Sequence, residues 1–272
     1  MKRLNSVIFY VISGVLVSLS PKVTSAAKVI PQDVKTIEQD VNPANVESQT
    51  NTMVLEGNKT VDLSSFDKLN NVRVYAGYGR RLNKINPDLD LFNREHLKRL
   101  TNGIVFGVDY IRYFKKARGA GIGLKYQMMH ATSADAATMT YEDETTKDGV
   151  LDETVNISFI GPVYSGRMAS KNNKHLFVAN VGMGALLWND IQKFDKERCT
   201  VSGNTLGLTY DLNYSYFMGE HFTLGAGISY TTGVIKKATY SNSGQTKTVE
   251  LEEKQYEGLV HMGVCAQLIY TF

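Results

Sequence analysis

Cysteine, tryptophan and proline are all scarce in this chain: 2 Cys, 1 Trp and 5 Pro in 272 residues. The two cysteines, Cys199 and Cys265, show no metal-ligand spacing and allow at most one disulfide, so a zinc module and a disulfide-dense scaffold are excluded. An excess of one charge is also lacking. The chain has 30 Lys+Arg against 27 Asp+Glu, and Lys2, Arg3 and Lys22 lie in the N-terminal leader, so the remainder balances and nothing global points to nucleic acid. No stretch after the leader approaches the ~18 apolar residues of a membrane-spanning helix, which excludes a helical membrane protein. Nucleotide fingerprints are missing too. Gly77-Tyr78-Gly79 and Gly119-Ala120-Gly121-Ile122-Gly123 repeat glycine at every second position of an alternating run, not at a turn entering a helix. These absences leave no cofactor or metal to expect.

What is present begins with an export signal. Lys2 and Arg3 precede an apolar run from Val7 to Leu19, followed by the small residues Thr24-Ser25-Ala26-Ala27. That order is a secretory signal peptide over 1–27, and its apolar part is shorter than the ~20 residues that span a bilayer. Residues 28–70 are polar, nearly free of aromatics and carry Pro31 and Pro43. They read as a flexible periplasmic extension.

From 71 to 272 the character changes. Eight segments alternate apolar and polar with period two, near 72–82, 103–114, 119–128, 154–166, 174–188, 204–216, 222–231 and 255–272. In the third, Ala120, Ile122, Leu124, Tyr126 and Met128 oppose Gly119, Gly121, Gly123, Lys125 and Gln127. The polar faces are rich in Gly, Ser, Thr and Asn, with isolated charges at Arg73, Asp109, Lys125 and Asp211. Such faces suit a narrow barrel interior where charges must pair, while apolar faces ending in tyrosines suit lipid and its interfaces. Links near 115–118, 167–173 and 219–221 are short; those near 83–102, 131–153, 189–202 and 235–254 are long. Strict alternation of short and long is what an up-and-down barrel with both ends in the periplasm requires. The fold class is therefore all-β: an eight-stranded antiparallel up-and-down transmembrane barrel with an N-terminal extension. An interior of that size holds only its own side chains, so an open porin is not expected.

The last segment puts Val260, Met262, Val264, Ala266, Leu268, Tyr270 and Phe272 on one face. With its terminal aromatics Tyr270 and Phe272, it looks like the C-terminal signal read by the outer-membrane assembly machinery. Together with the leader and the eight alternating segments, the chain resembles the OmpA/OmpX-type outer-membrane barrels, including those of Bacteroidetes. The resemblance covers the barrel and implies a cell-envelope protein of Gram-negative outer membranes. It departs from OmpA in carrying its extension before the barrel, where OmpA has a peptidoglycan-binding domain after it. Pro162, inside a predicted strand, marks a bulge or the periplasmic strand end.

Candidate chemistry is sparse. His130 and Thr132 fall on the lipid-facing side at the outer end of the third segment, with Ser133 on the opposite face. Outer-membrane lipid A deacylases, which this pairing resembles, use a His, a hydroxyl and a carboxylate at such a depth; here the hydroxyl is Thr where they use Ser. The acidic stretch Glu142-Asp143-Glu144, Asp148, Asp152 and Glu153 matches no EF-hand and reads as a solvated loop. His261 and Cys265 share the lumen face of the last segment and read as packing. The expectation is a structural, adhesion or ligand-contact barrel acting through four long external loops. The alternatives are lipid modification near His130, and a periplasmic assembly role for the extension. The partners expected are outer-membrane lipid and lipopolysaccharide, the assembly machinery, and a periplasmic or extracellular protein.

Overall fold

A computed structural model describes residues 68–83, 91–115, 119–140, 146–170, 174–195, 197–242, 245–252 and 255–272. The leader and nearly all of the extension lie outside the described residues. The elements are β1 (Asn70–Arg81), α1 (Leu91–Leu100), β2 (Asn102–Tyr113), β3 (Ala120–Thr140), β4 (Thr146–Ala169), β5 (His175–Phe194), β6 (Glu197–Phe217), β7 (Phe222–Thr232), β8 (Val234–Ile235), β9 (Lys237–Asn242), β10 (Gln245–Glu250), β11 (Glu257–Gly258) and β12 (His261–Thr271). Among the described residues no helix is long and apolar enough to cross a membrane.

Strands β1 to β7 pair in sequence order, β7 pairs with β12 and β12 with β1, so eight antiparallel strands close into a ring. The register measures the closure. Asn70 is opposite Arg112, then Ile122, Tyr164, Val181, Tyr210, Tyr230 and Met262 in turn, and Met262 returns to Arg80. One circuit therefore ends ten residues further along β1. A stagger of this kind tilts the strands by roughly 35–45° and closes the sheet around a side-chain-filled lumen.

Pro162 sits within β4 without a bulge. Ile160 faces Ala185 and Val163 faces Gly182, the same register on both sides of it. Only the ladder to β5 is interrupted at Gly161 and Pro162, because proline has no N–H to donate. The bulge or strand end expected there is replaced by a short gap in one ladder.

Alternation sorts the ring into two faces. Outward-pointing residues include Leu206 and Leu212, 67% and 68% exposed, with Ile122, Leu124, Val264 and many others. An apolar surface that continues around every strand is far larger than the few hundred Å² a water-facing monomer carries. Its rim at the turn end is aromatic: Phe114, Phe177, Tyr214, Tyr216, Phe222, Tyr270 and Phe272. Along β12, from Met262 to Phe272, the belt rises about 25 Å at ~3.3 Å per residue and a tilt of ~40°.

Two of the four long links are strand, not loop. The segment expected as loop 131–153 continues β3 to Thr140 and starts β4 at Thr146; the segment 189–202 continues β5 to Phe194 and starts β6 at Glu197. The pairings run on in register, so β3–β6 project beyond the belt. The hairpin β9–β10, within the expected loop 235–254, joins this projection by pairing with β6. The link 83–102 contains α1. The helix ends where Thr101 donates from its hydroxyl to the Lys98 carbonyl (2.7 Å) and Asn102 adds a side-chain bond to the same oxygen (3.2 Å), with Lys98 and Arg99 in the last turn.

Glycine matters where strands approach each other across the lumen face. A Cβ on Gly123 of β3 would run into the Tyr110 carbonyl oxygen and meet the Ile111 Cα at 2.8 Å. Gly123→Ala is expected to destabilise the barrel by about 1–3 kcal/mol, the cost of overpacking a filled interior. A lowered urea midpoint of the detergent-folded protein is the check; an unchanged midpoint would mean that β2 and β3 lie further apart at this level.

Candidate functional site

The four charges expected in the lumen meet there. Arg73 (β1), Asp109 (β2) and Lys125 (β3) are directly opposite one another across adjacent strands, so their charges alternate around the wall. Arg73 donates to Asp109 from both Nε (2.7 Å) and Nη2, and Nη2 also reaches Asp211 Oδ2 of β6 at 2.9 Å. Lys125 donates to Asp211 Oδ1 (2.6 Å) and Thr209 (3.0 Å). Asn180 bonds Asp211, Asn213 accepts from Arg73, and Gln267 ties Arg73 to Ser215. All four charged residues are almost fully buried. A buried charge is tolerated only when paired and hydrogen-bonded, and here two cations face two carboxylates. The network draws on strands all around the ring and fills its middle.

Above it the lumen turns apolar. Val105, Met129, Ile157, Phe159, Leu186 and Trp188 from the wall pack with Ile235, Leu259 and the α1 residues Leu97 and Leu100. The mouth is thus stoppered by a helix and by the β8–β11 pair. At the turn end Tyr113 lies under the Arg167 guanidinium, 3.9 Å from the ring centroid.

A polar clamp holds the stopper. His96 of α1 is 1% exposed, and its Nδ1 is 2.6 Å from Asp135 Oδ2 of β3 while its Nε2 is 3.0 Å from Glu153 Oε2 of β4. Arg99 adds a bond to Asp135. Behind Glu153 the Asp190 carboxyl of β5 is buried, and burial together with the nearby Glu153 charge pushes it well above the usual carboxylate range. Glu257 is paired with Arg81 and accepts from Asn83 at 3.0 Å, which ties β11 to the end of β1. Burial opposes a charge on His96, but the bond and charge of Glu153, reinforced by Asp135, raise its pKa. Burial also pushes the Glu257 carboxyl up, to about 7, against the pull of Arg81.

The other sequence candidates are placed apart. His130 and Thr132 lie on the outer face of β3, and the His130 ring bonds Asn156 Oδ1 at 2.7 Å, an amide and not a carboxylate. Ser133 points inward, 2.8 Å from Asp135. His261 bonds Gln127 (3.2 Å) in the lumen, and Cys265 and Cys199 are separate buried thiols. Among the described residues no group of His, Cys, Asp and Glu could hold a metal ion. The reading of 131–153 as a solvated acidic loop fails for Glu153, which is 2% exposed and faces α1; Glu142–Glu144 lie outside the described residues. Tyr270 and Phe272 stack on each other, 5.6 Å between centroids, at the aromatic rim. The sequence does not show the helix clamp because α1 lies inside a long link between alternating segments, and around Asp135 alternation fades into Ala, Ser and Thr on both faces.

No known protein family matches the chain, and no curated protein matches it. Solved structures do. The outer-membrane protease OmpT of Escherichia coli is 10% identical, with 79% of this chain and 100% of that one covered and a TM-score of 0.43. Neisserial surface protein A is 10% identical over 75% and 97% of the two chains, TM-score 0.43. A major outer membrane protein of Thermus thermophilus is 11% identical over 75% and 99%, TM-score 0.45.

Two outcomes are expected. Asp211→Ala leaves Arg73 and Lys125 sharing Asp109, and should cost about 3–5 kcal/mol, as removal of one partner from a buried pair does; the urea midpoint reads it. The second concerns pH. His96 and Glu257 both hold a proton more tightly with the mouth closed, so closure is fully supported below their ordinary values, ~6.5 and ~4.5, and weakens as pH rises through about 7 for Glu257 and through the raised value for His96. Trp188, the sole tryptophan, packs in the cluster that holds Leu97 and Leu100. Its quenching by iodide should increase between about pH 6 and pH 9, and His96→Gln should flatten that part of the profile. A profile identical in the variant would rule out the clamp as its cause.

Proposed function

We propose that this chain is an outer-membrane β-barrel with a sealed lumen, working at its mouth and projecting sheet as a structural, adhesive or ligand-contact protein of the cell surface. The observation that carries the reading is the pairing of an unbroken apolar belt outside with a side-chain-filled lumen inside. A belt about 25 Å high matches the hydrocarbon core that such barrels span, and ring closure leaves no strand edge unpaired in lipid. The filled lumen argues against steady conductance. The short turns then face the periplasm, and the β3–β6 projection, α1 and the β9–β10 hairpin face the exterior. Tyr270 and Phe272 are the residues offered to the barrel assembly machinery. Outer-membrane lipid surrounds the belt, and lipopolysaccharide borders its upper rim.

The test is recovery of the protein from outer membranes in mild detergent, with gel mobility compared before and after boiling. A boiling-dependent shift, β-rich circular dichroism and no steady current in planar bilayers are expected. Recovery as a soluble periplasmic or secreted protein, or stepwise ion currents, would overturn the reading.

A further inference from the structure

The outer faces of β3–β6 change chemistry across one mixed row, Met128, Ser158, Leu187 and Asn204. The row below it holds Tyr126, Ile160, Ala185 and Leu206; the row above it holds His130, Asn156, Asn189 and Ser202. Because side chains on one face recur every second residue, this is one continuous surface meeting two environments. Above that level the register aligns the outward side chains into rows. Thr248, Thr239, Ser202, Asn189, Asn156 and His130 stand side by side across six strands. The next row up is Thr246, Ser241, Thr200, Ile191, Thr154 and Thr132. All of these are partly or fully exposed, and neither row holds a Lys, Arg, Asp or Glu.

That composition is unusual for a sheet facing plain water, whose exposed strands are kept soluble and unpaired by charge. Hydroxyls and amides that both donate and accept, spaced about 4.8 Å across strands and about 6.7 Å along them, form a flat array of hydrogen-bonding groups. One row higher, Lys193 and Arg198 lie directly opposite each other, both exposed, with Asp152 of β4 on the other side of Lys193. Two cations against one carboxylate leave the row with an excess positive charge that an anion near Arg198 would balance.

We infer that this outer face is a binding surface for the saccharide headgroup of an outer-leaflet glycolipid, with sugar hydroxyls on the two uncharged rows and an anionic substituent at Lys193 and Arg198. The inference rests on the proposed outer-membrane location. Continuity with the apolar belt selects a membrane glycolipid over a free polysaccharide, since acyl chains along the belt deliver the headgroup to the face beyond it.

The test uses the full mature chain in nanodiscs of phosphatidylcholine, with or without rough-type lipopolysaccharide. The temperature at which the unboiled gel form is lost is recorded, with the lipopolysaccharide retained on the purified protein. Lipopolysaccharide should raise that temperature for the wild type. Thr154→Val with Thr200→Val keeps side-chain shape, should match wild type in phosphatidylcholine alone, and should retain about tenfold less lipopolysaccharide, the loss of one or two hydrogen bonds. Should the double variant fold poorly, Thr200→Val alone is read the same way, with a smaller loss. Equal retention by wild type and variants overturns the inference, as does binding abolished by Lys193→Ala with Arg198→Ala yet untouched by the Thr→Val changes, or full competition by delipidated saccharide. Insertion without any lipopolysaccharide effect defeats this inference alone. Failure to insert into nanodiscs defeats the membrane reading beneath it.

Discussion

Closure of the sheet is the constraint on which everything else rests. A ring of eight strands with a ten-residue stagger leaves no free edge within the barrel, and it also fixes how narrow the interior is. Narrowness forces the lumen to be solid. Glycine is required where two strands crowd, as at Gly123, and a charge is admissible only where its counter-charge projects from a neighbouring or facing strand. Arg73, Asp109, Lys125 and Asp211 satisfy that condition together, and none of them would be tolerable alone.

A solid lumen moves function to the ends. The mouth is closed by packing, Leu97 and Leu100 against wall residues, and by a clamp of one histidine between carboxylates from two strands. Packing is indifferent to pH, whereas the clamp is not. The closure therefore has a part that solvent conditions adjust on top of a part that they do not. The clamp also uses strand that lies beyond the belt.

The projecting part of β3–β6 serves both faces of the sheet. The same strands build the ring, carry the partners of His96 on their inner face and present hydroxyl rows on their outer face. A change of environment along one strand face is thus written as a change of side chain, from Leu187 to Asn189 or from Met128 to His130, with no break in backbone pairing.

The sequence by itself determined the eight-strand ring, the division into belt and lumen, and the four lumenal charges. Those come from period-two alternation with strong contrast, which depends only on neighbours along the chain. It also placed His130 and Thr132 outward and Ser133 inward by the same parity. Where contrast weakens, as from Ala131 to Thr138, alternation no longer separates strand from loop, so the sequence alone does not show the long hairpins. Only the tertiary structure decided the ten-residue stagger, the docking of α1, and the meeting of His96 with Asp135 and Glu153, 39 and 57 positions away. It alone aligned the hydroxyl rows across six strands. Those features are relations between segments that share no local pattern: register and docking are set by the closure of the whole sheet, and closure is a property of no single strand.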